Sequence, residues 1–366
     1  LAAELEQAGA ADVAVTVGGA SFSGDSVVCY RANLESRVAT RVLRRLVHVP
    51  YRREQDIYDA AYALPWRDWF DVRNAIRVDV NATRCPLKSL DFVTLRIKDA
   101  VCDRFRAEVG ARPDGDTREP DVRIAAYLDA THFTLYLDTS GEPLYKRAYR
   151  GRTGEAPIRE NLAAGIVMLT GWDGVEPFLD PMCGSGTFLV EAARIALGIA
   201  PGSGRSFGFE RLADFDAALW QRLRDAARAR EQPRELRPIH GADLYGEALK
   251  TARASLEAAG LSDVVTLKQA NVLELPPPAE GGVMVANPPY GVRIGEDAEL
   301  AAFYPRLGDA LKQRYAGWRC FFFTADLRLA KFIGLKAARR TPLFNGALEC
   351  RLFEYRMVSG TLRKPA

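Results

Sequence analysis

The chain has 366 residues, 48% of them hydrophobic and 27% charged, with a formal net charge of only +3. That length allows two or three domains, since a single core rarely grows past roughly 250–300 residues. The near-neutral balance excludes a global basic field, so any affinity for nucleic acid has to come from local patches. No apolar run approaches the ~20 residues that cross a bilayer, and Glu4, Glu6 and Asp12 interrupt any signal-peptide pattern after Leu1. The six cysteines are scattered without a C-x-x-C pair, and the three histidines do not cluster. They are expected to be reduced thiols in a cytoplasmic protein that holds no metal.

In the first 150 residues the pattern is α+β. Residues 26–31 read as a strand. Residues 36–46 repeat Val38, Val42, Leu43 and Leu46 at helical spacing. Residues 74–80 alternate as a strand does, and 89–109 read as a helix with Phe92, Leu95, Ile97, Val101 and Phe105 apolar. A turn-rich loop at 112–120 leads to two strands, 122–128 and 132–138, joined across Asp129-Ala130-Thr131. After Gly151 strands alternate with helices. Helix 160–170, strand 175–179, helix 187–197 and a strand ending at His240 come first. Helix 247–259, strands 264–267 and 283–286, helix 300–315 and strand 319–324 follow, and 349–358 is expected to return antiparallel. Such alternation predicts a doubly wound parallel sheet. Residues 199–238 stand out as an insertion between the first helix and the second strand of that series.

Two short runs sit just after apolar strands, where open α/β sheets gather their functional groups. The first is Asp180-Pro181-Met182-Cys183-Gly184-Ser185-Gly186-Thr187. Gly184 and Gly186 lack a Cβ, so the chain turns tightly and a ligand can approach the backbone. The helix that follows aims unpaired N–H groups at it. No Gly-Lys-Ser/Thr follows, which excludes a P-loop, and Val190, Glu191 and Ala192 stand where a nicotinamide fingerprint needs its third glycine. Asp243, at the end of the second strand, is the candidate for ribose hydroxyls, against an ordinary helix N-cap. Asn271, after the third strand, is the candidate acceptor for an adenine amine.

The second run is Asn287-Pro288-Pro289-Tyr290. An amino group on a nucleobase is a poor nucleophile, because its lone pair is delocalised into the ring. It needs acceptors that hold its N–H groups and align the lone pair, which the Asn287 amide oxygen and the Pro288 carbonyl provide. Pro288 and Pro289 restrict φ around those acceptors, and Tyr290 offers a stacking face. The plain alternative is an Asn-Pro turn at a strand end. With the glycine turn ahead of it, the pair predicts methyl transfer from S-adenosylmethionine to an exocyclic amine, with S-adenosylhomocysteine as product. Cys183 invites a nucleophile reading, as in cytosine C5 methylation. It lies in the cofactor turn, so packing against the ligand is expected instead.

Across most of its length the chain resembles the guanine-N2 methyltransferase family that modifies large-subunit ribosomal RNA, the RlmL-like proteins. The resemblance is carried by Tyr30-Arg31-Ala32-Asn33-Leu34-Glu35-Ser36-Arg37, by residues 138–147 (DTSGEPLYKR) and by residues 155–161 (EAPIREN). Residues 287–296 (NPPYGVRIGE) and 345–352 (NGALECRL) add to it. It implies an N-terminal α+β ferredoxin-like segment over residues 1–45 and a THUMP RNA-binding domain over 46–150. Behind them, over 151–366, it implies a Rossmann-like class I methyltransferase domain, a doubly wound seven-stranded α/β sheet with its last strand antiparallel. Cofactor contacts are implied at Pro157, Asp180, Met182, Cys183, Gly184, Ser185, Gly186, Thr187, Asp243, Asn271 and Asn287, and catalysis at Asn287, Pro288, Pro289 and Tyr290. Two positions depart from the family pattern: Tyr245 stands where a second acidic residue is frequent, and Asn271 where Asp is usual. Some relatives carry a second methyltransferase domain after this one. With Ala366 as the last residue, that activity is not expected here.

For the RNA partner, 23S ribosomal RNA on the family resemblance, two basic clusters are candidates. Arg37, Arg41, Arg44, Arg45, Arg52 and Arg53 form the first, the first four expected on one helix face. Lys146, Arg147, Arg150 and Arg152 form the second. A transfer-RNA guanine-N2 enzyme, an adenine-N6 enzyme and an assembly factor are the alternatives, and a monomer is favoured.

Overall fold

The computed structural model describes residues 1–147, 149, 158–288 and 296–358, with the backbone alone for 296–301. The chain divides into two compact units, residues 1–146 with 201–227, and residues 147–200 with 228–366.

The first unit begins with helix α1 (Ala2–Gln7) and the hairpin β1 (Ala11–Thr16) and β2 (Gly19–Ser23). Helix α2 (Ser26–Glu35) follows, where a strand was expected over 26–31. Asp25 caps it by accepting from the Val28 N–H. Its buried Val28, Tyr30, Ala32 and Leu34 pack inward. The helix expected over 36–46 is also absent, because Leu43–Pro50 forms strand β3, paired antiparallel with a later strand. Helix α3 (Glu54–Tyr62), strand β4 (Ile76–Ala82), helix α4 (Leu90–Val109), strand β5 (Val122–Leu128) and strand β6 (His132–Asp138) complete the unit's own run. The sheet order is β3-β6-β5-β4, with only β4 and β5 parallel. Ile124, Ala126, Leu128, Phe133, Leu135 and Leu137 are buried on one face, with Ile97, Val101 and Phe105 of α4 in the same core. On α4, Phe92 and Leu95 stay about half exposed.

In the second unit the expected alternation holds. Helix α5 (Glu160–Leu169), strand β7 (Phe178–Asp180), helix α6 (Thr187–Ala196), strand β8 (Ile239–Asp243), helix α8 (Gly246–Ala258) and strand β9 (Val265–Gln269) come first, with helix α7 (Ala217–Ala229) between α6 and β8 in sequence but grouped up to Ala227 with the first unit. Strand β10 (Gly282–Ala286), helix α9 (Glu296–Arg314), strand β11 (Trp318–Thr324), helix α10 (Leu329–Phe332) and strands β12 (Arg339–Asn345) and β13 (Leu348–Arg356) follow. β7 starts three residues later than expected. An Asp173 turn holds the N–H groups of Val175 and Glu176, leaving Val175 exposed. The sheet runs β12-β13-β11-β10-β7-β8-β9, parallel except for β13, which is antiparallel to both its neighbours. Val283, Val285, Phe178, Leu189 and Phe321 fill one side of this sheet, and Met284, Leu307, Trp318 and Phe322 the other.

The segment expected to belong to one domain over 151–366 is interrupted, since residues 201–227 group with the first unit. The reason is aromatic packing and backbone pairing that no local pattern announces. Tyr30 stacks on Phe209 at 4.2 Å, and Trp220 meets Phe209 edge-on at 5.1 Å. The Gly202 N–H donates to the Leu34 carbonyl and the Phe209 N–H to the Thr139 carbonyl. A Cβ on Gly208 would lie 2.8 Å from the Asp138 carbonyl oxygen, so only glycine permits that approach.

Candidate active site

The glycine turn leaves the carboxyl end of β7, and Asn287 leaves the carboxyl end of β10, the strand beside it. Gly184 takes φ +50°, with no atom of the described residues within 4 Å of where its Cβ would stand. Gly186, at φ +77°, is the N-cap of α6, and a Cβ there would meet the Ala252 Cα at 3.3 Å. One glycine therefore leaves room above the turn, and the other lets α8 approach from below. The turn is held by backbone bonds from Gly186 N to the Cys183 carbonyl (2.7 Å) and from Cys183 N to the Ala242 carbonyl (2.9 Å). Ser185 and Thr187 bond through their hydroxyls at 3.2 Å, and Met182, half-buried, completes the run.

Asp243 closes the turn from the side. Its carboxylate accepts from Gly184 N at 2.9 Å and from Tyr245 N at 3.0 Å. Both carboxylate oxygens retain a further lone pair for a hydroxyl. Asp180, buried at the end of β7, accepts from Met182 N at 3.2 Å. Burial pushes its carboxyl well above the usual carboxylate range, and the nearby Asp243 charge adds to this against the Met182 bond. The Cys183 thiol is pushed far up by burial, then by Asp180 and Asp243. A thiol held protonated is no nucleophile. Asn271, just past β9, uses its Oδ1 to accept from Leu273 N at 3.0 Å, a local turn that keeps its amide in place.

Asn287 differs from all of these. Its Oδ1 is buried and accepts no hydrogen bond from the described residues, while Pro288 beside it is buried. An orphaned buried acceptor is costly, about 1–3 kcal/mol, and a donor on a bound ligand would offset that cost. The open space at Gly184, the carboxylate at Asp243 and this orphaned acceptor fit a nucleoside-bearing cofactor with an amine substrate alongside. No group of three or more His, Cys, Asp or Glu side chains fit to hold a metal occurs among the described residues. Pro289, Tyr290, Pro157, Arg150 and Arg152 lie outside the described residues.

The basic clusters are rearranged. Arg147 is buried and cannot face RNA: it donates to Glu191, which also accepts from the Tyr149 hydroxyl at 2.9 Å. Burial and the charges of Glu191 and Glu160 hold the Tyr149 phenol far above its usual value. This ionic cluster escaped the sequence reading, although a lone Glu191 within the apolar run of α6 was its signal. Arg37, Arg41, Arg44 and Arg45 share no helix face, because Arg44 and Arg45 are adjacent on β3 and point to opposite sides. Arg41 bonds Asp138 and the Gly141 carbonyl, and Arg44 pairs with Asp214 at 2.7 Å. Arg45, Arg52 and Arg53 are exposed, Arg53 beside Asp56, and Lys146 pairs with Glu142. The Arg37 N–H donates to Glu4.

A seven-stranded sheet of this order with one antiparallel strand, an amide at the end of its central strand β10 and a glycine turn after the neighbouring β7 define an S-adenosylmethionine-dependent methyltransferase domain. Sequence comparison agrees: residues 147–354 match the RMKL-like methyltransferase domain, 51–138 the THUMP domain and 1–43 the RlmL ferredoxin-like domain. The chain belongs to the RMKL-like methyltransferase family. Among its relatives is the Ribosomal RNA large subunit methyltransferase K/L of Aeromonas hydrophila, 39% identical over 99% of this chain and 53% of that protein. A Synechocystis protein described as an RNA methyltransferase is 36% identical over 97% of this chain and 93% of its own length. The chain thus spans about half the length of the K/L relatives it matches. The crystal structure of SMU.472, described as a methyltransferase complexed with SAH, has a TM-score of 0.89 at 30% identity, covering 98% of this chain and 95% of that one.

Proposed function

We propose that this chain methylates the exocyclic N2 amine of a guanosine in 23S ribosomal RNA, with the base extruded into a pocket that begins at Asn287. The observation that carries the reading is the buried Asn287 Oδ1, without a partner among the described residues, at the strand end beside the glycine turn. When bound, S-adenosylmethionine supplies an electrophilic methyl group on a sulfonium. Asp243 would hold the ribose hydroxyls and the Gly184–Thr187 backbone the methionine end, while Asn271 flanks the adenine. Asn287 Oδ1 and the Pro288 carbonyl accept from the two amine N–H groups and turn the nitrogen lone pair toward the methyl. Holding the reacting atoms about 3–3.5 Å apart supplies several kcal/mol of the barrier. The amine proton is lost after transfer, when the nitrogen has become acidic, so no strong base is required. Extruding the base costs a few kcal/mol, less in a loop or an unassembled RNA.

Residues 1–45 and 46–150 would then hold the RNA, and 151–366, apart from the insertion, would carry the chemistry. The relatives' ribosomal name supports a large-subunit substrate over transfer RNA. The test is methyl transfer from labelled S-adenosylmethionine to unmodified 23S RNA, 16S RNA and bulk transfer RNA, with nucleoside mass spectrometry. The expected product is N2-methylguanosine in 23S RNA alone. N2-methylguanosine in transfer RNA would move the substrate, N6-methyladenosine would change the base, and no product on naked RNA or ribosomal precursors would remove the enzymatic reading.

A further inference from the structure

One face of the β3-β6-β5-β4 sheet packs into the core with α4, and the residues of the opposite face alternate with that core. Register sets them in rows. Arg77 lies beside Arg123, then Asp79 beside Ala125, Tyr136 and Arg45, then Asn81 beside Tyr127, Thr134 and His48. At the far end His48 stacks on His132, rings 4.7 Å apart and 8° from parallel, with the His48 Nδ1 2.8 Å from the Thr134 hydroxyl. Tyr127 is 39% exposed and Arg45 and His48 are exposed, so polar and aromatic groups of this face meet solvent. At the other end the face falls into a cleft of about 1080 Å³, lined by Arg77, Arg123, Lys146 and Arg211 together with carboxylates such as Asp79 and Glu142.

We propose that this open face docks a single-stranded stretch of RNA, with bases on Tyr127, Tyr136 and the His48–His132 stack and phosphates on Arg45, Arg77 and Lys146. The proposal rests on the RNA-substrate reading above and assigns where the strand lies. Three features favour this occupant. The aromatic positions step diagonally across neighbouring strands, about 7–8 Å apart, which suits successive splayed bases. Base faces are offered by single strands, whereas an A-form duplex hides them. The cations are exchangeable: Arg77 pairs with Asp79 and Lys146 with Glu142, all more than a third exposed. Exposed pairs of that kind are worth about 0–1 kcal/mol, so a phosphate displaces the carboxylate at little cost. Arg45 has no ion-pair partner among the described residues and stands free for the first contact.

The experiment is fluorescence anisotropy on the full chain with a labelled oligouridine of about 12 nucleotides, a length within the site size of single-strand binders. A blunt RNA hairpin stem and polyglutamate serve as rival probes. Tyr127→Ala and Tyr136→Ala should each weaken oligouridine binding about 5- to 100-fold with an unchanged salt slope. The phenylalanine variants should stay near wild type. Arg45→Gln and Arg77→Gln should each lower the salt slope by about 0.7. S-adenosylhomocysteine binding and thermal unfolding, measured alongside, report whether each variant is folded. Unchanged oligouridine affinity in folded Tyr127→Ala and Tyr136→Ala variants would overturn the proposal. So would tighter binding of the stem, or polyglutamate binding in place of RNA, which would assign the face to an acidic protein. The methylation assay is read separately. A tyrosine-dependent single-strand affinity with no methylated product would leave this surface standing and remove the catalytic reading. Normal methylation with no tyrosine dependence would do the reverse.

Discussion

The carboxyl edge of the seven-stranded sheet and the open face of the four-stranded sheet treat polar groups in opposite ways. At the edge, Asp180, Asp243 and Asn271 are tied to nearby backbone N–H groups, and one acceptor, on Asn287, is buried with no donor among the described residues. On the open face, charges stand in exposed pairs such as Arg77–Asp79 that water and salt already loosen. The first arrangement stores an unmet bond that only a correctly placed donor repays, which gives selectivity. The second, as the proposed docking face, would offer phosphates contacts that exchange easily, giving affinity without choosing a base.

The contrast is sharpest between ion pairs. Glu191 lies buried against Arg147, so Glu191→Leu strands a cation in the core and should cost about 3–5 kcal/mol in denaturant unfolding. Asp79→Asn, on the open face, should stay within about 0.5 kcal/mol. Equal costs would mean the two regions do not differ as their burial implies. Next in size is Asn287→Ala, which should lower single-turnover methyl transfer about ten- to a hundredfold, the loss of one buried acceptor. Cofactor affinity should hold within about threefold in the same variant, and an unchanged rate would take Asn287 out of the chemistry.

A smaller effect concerns Asp180. Its folded carboxyl titrates above the ordinary 3.8, so the native state keeps a proton that the unfolded chain has already released. That stabilisation is complete below about 3.8 and is lost as pH climbs through the raised value. Melting temperature should therefore fall across that window more steeply in the wild type than in Asp180→Asn. Parallel curves would show that Asp180 is not held protonated. Smallest of all, Cys183→Ser should leave turnover unchanged, because a thiol kept protonated by burial takes no part in the transfer. Loss of activity with an intact cofactor affinity would restore the nucleophile reading.

Much of the second unit was legible. Helices 160–170 and 187–197 and strands 283–286 and 319–324 appear within a residue or two of their expected bounds, because apolar runs and glycine punctuation there are local signals. The motifs at 180–187 and 287–288 fall at the strand ends where the spacing put them. The front was harder. Val27, Val28 and Cys29 look like strand formers, yet α2 forms because Asp25 caps it and Tyr30 stacks on Phe209, nearly 180 residues away. Residues 36–46 match a helical period, but β3 is fixed by pairing with β6, and a bulge between Arg45 and Val47 breaks its alternation. An edge strand with a bulge has no clean period to read.

What the sequence determined by itself is the chemistry of the second unit: glycine where φ is positive, an acid at the next strand's end, and an amide followed by two prolines. These are short-range requirements, written in adjacent residues. Tertiary structure alone decided which polar groups remain available. Arg147, counted among RNA contacts by its neighbours in sequence, is consumed by Glu191 in the core, while Tyr127, Tyr136 and the two histidines come together on one face through strand register. Burial and register are set by residues far apart in the chain, and no local pattern encodes them.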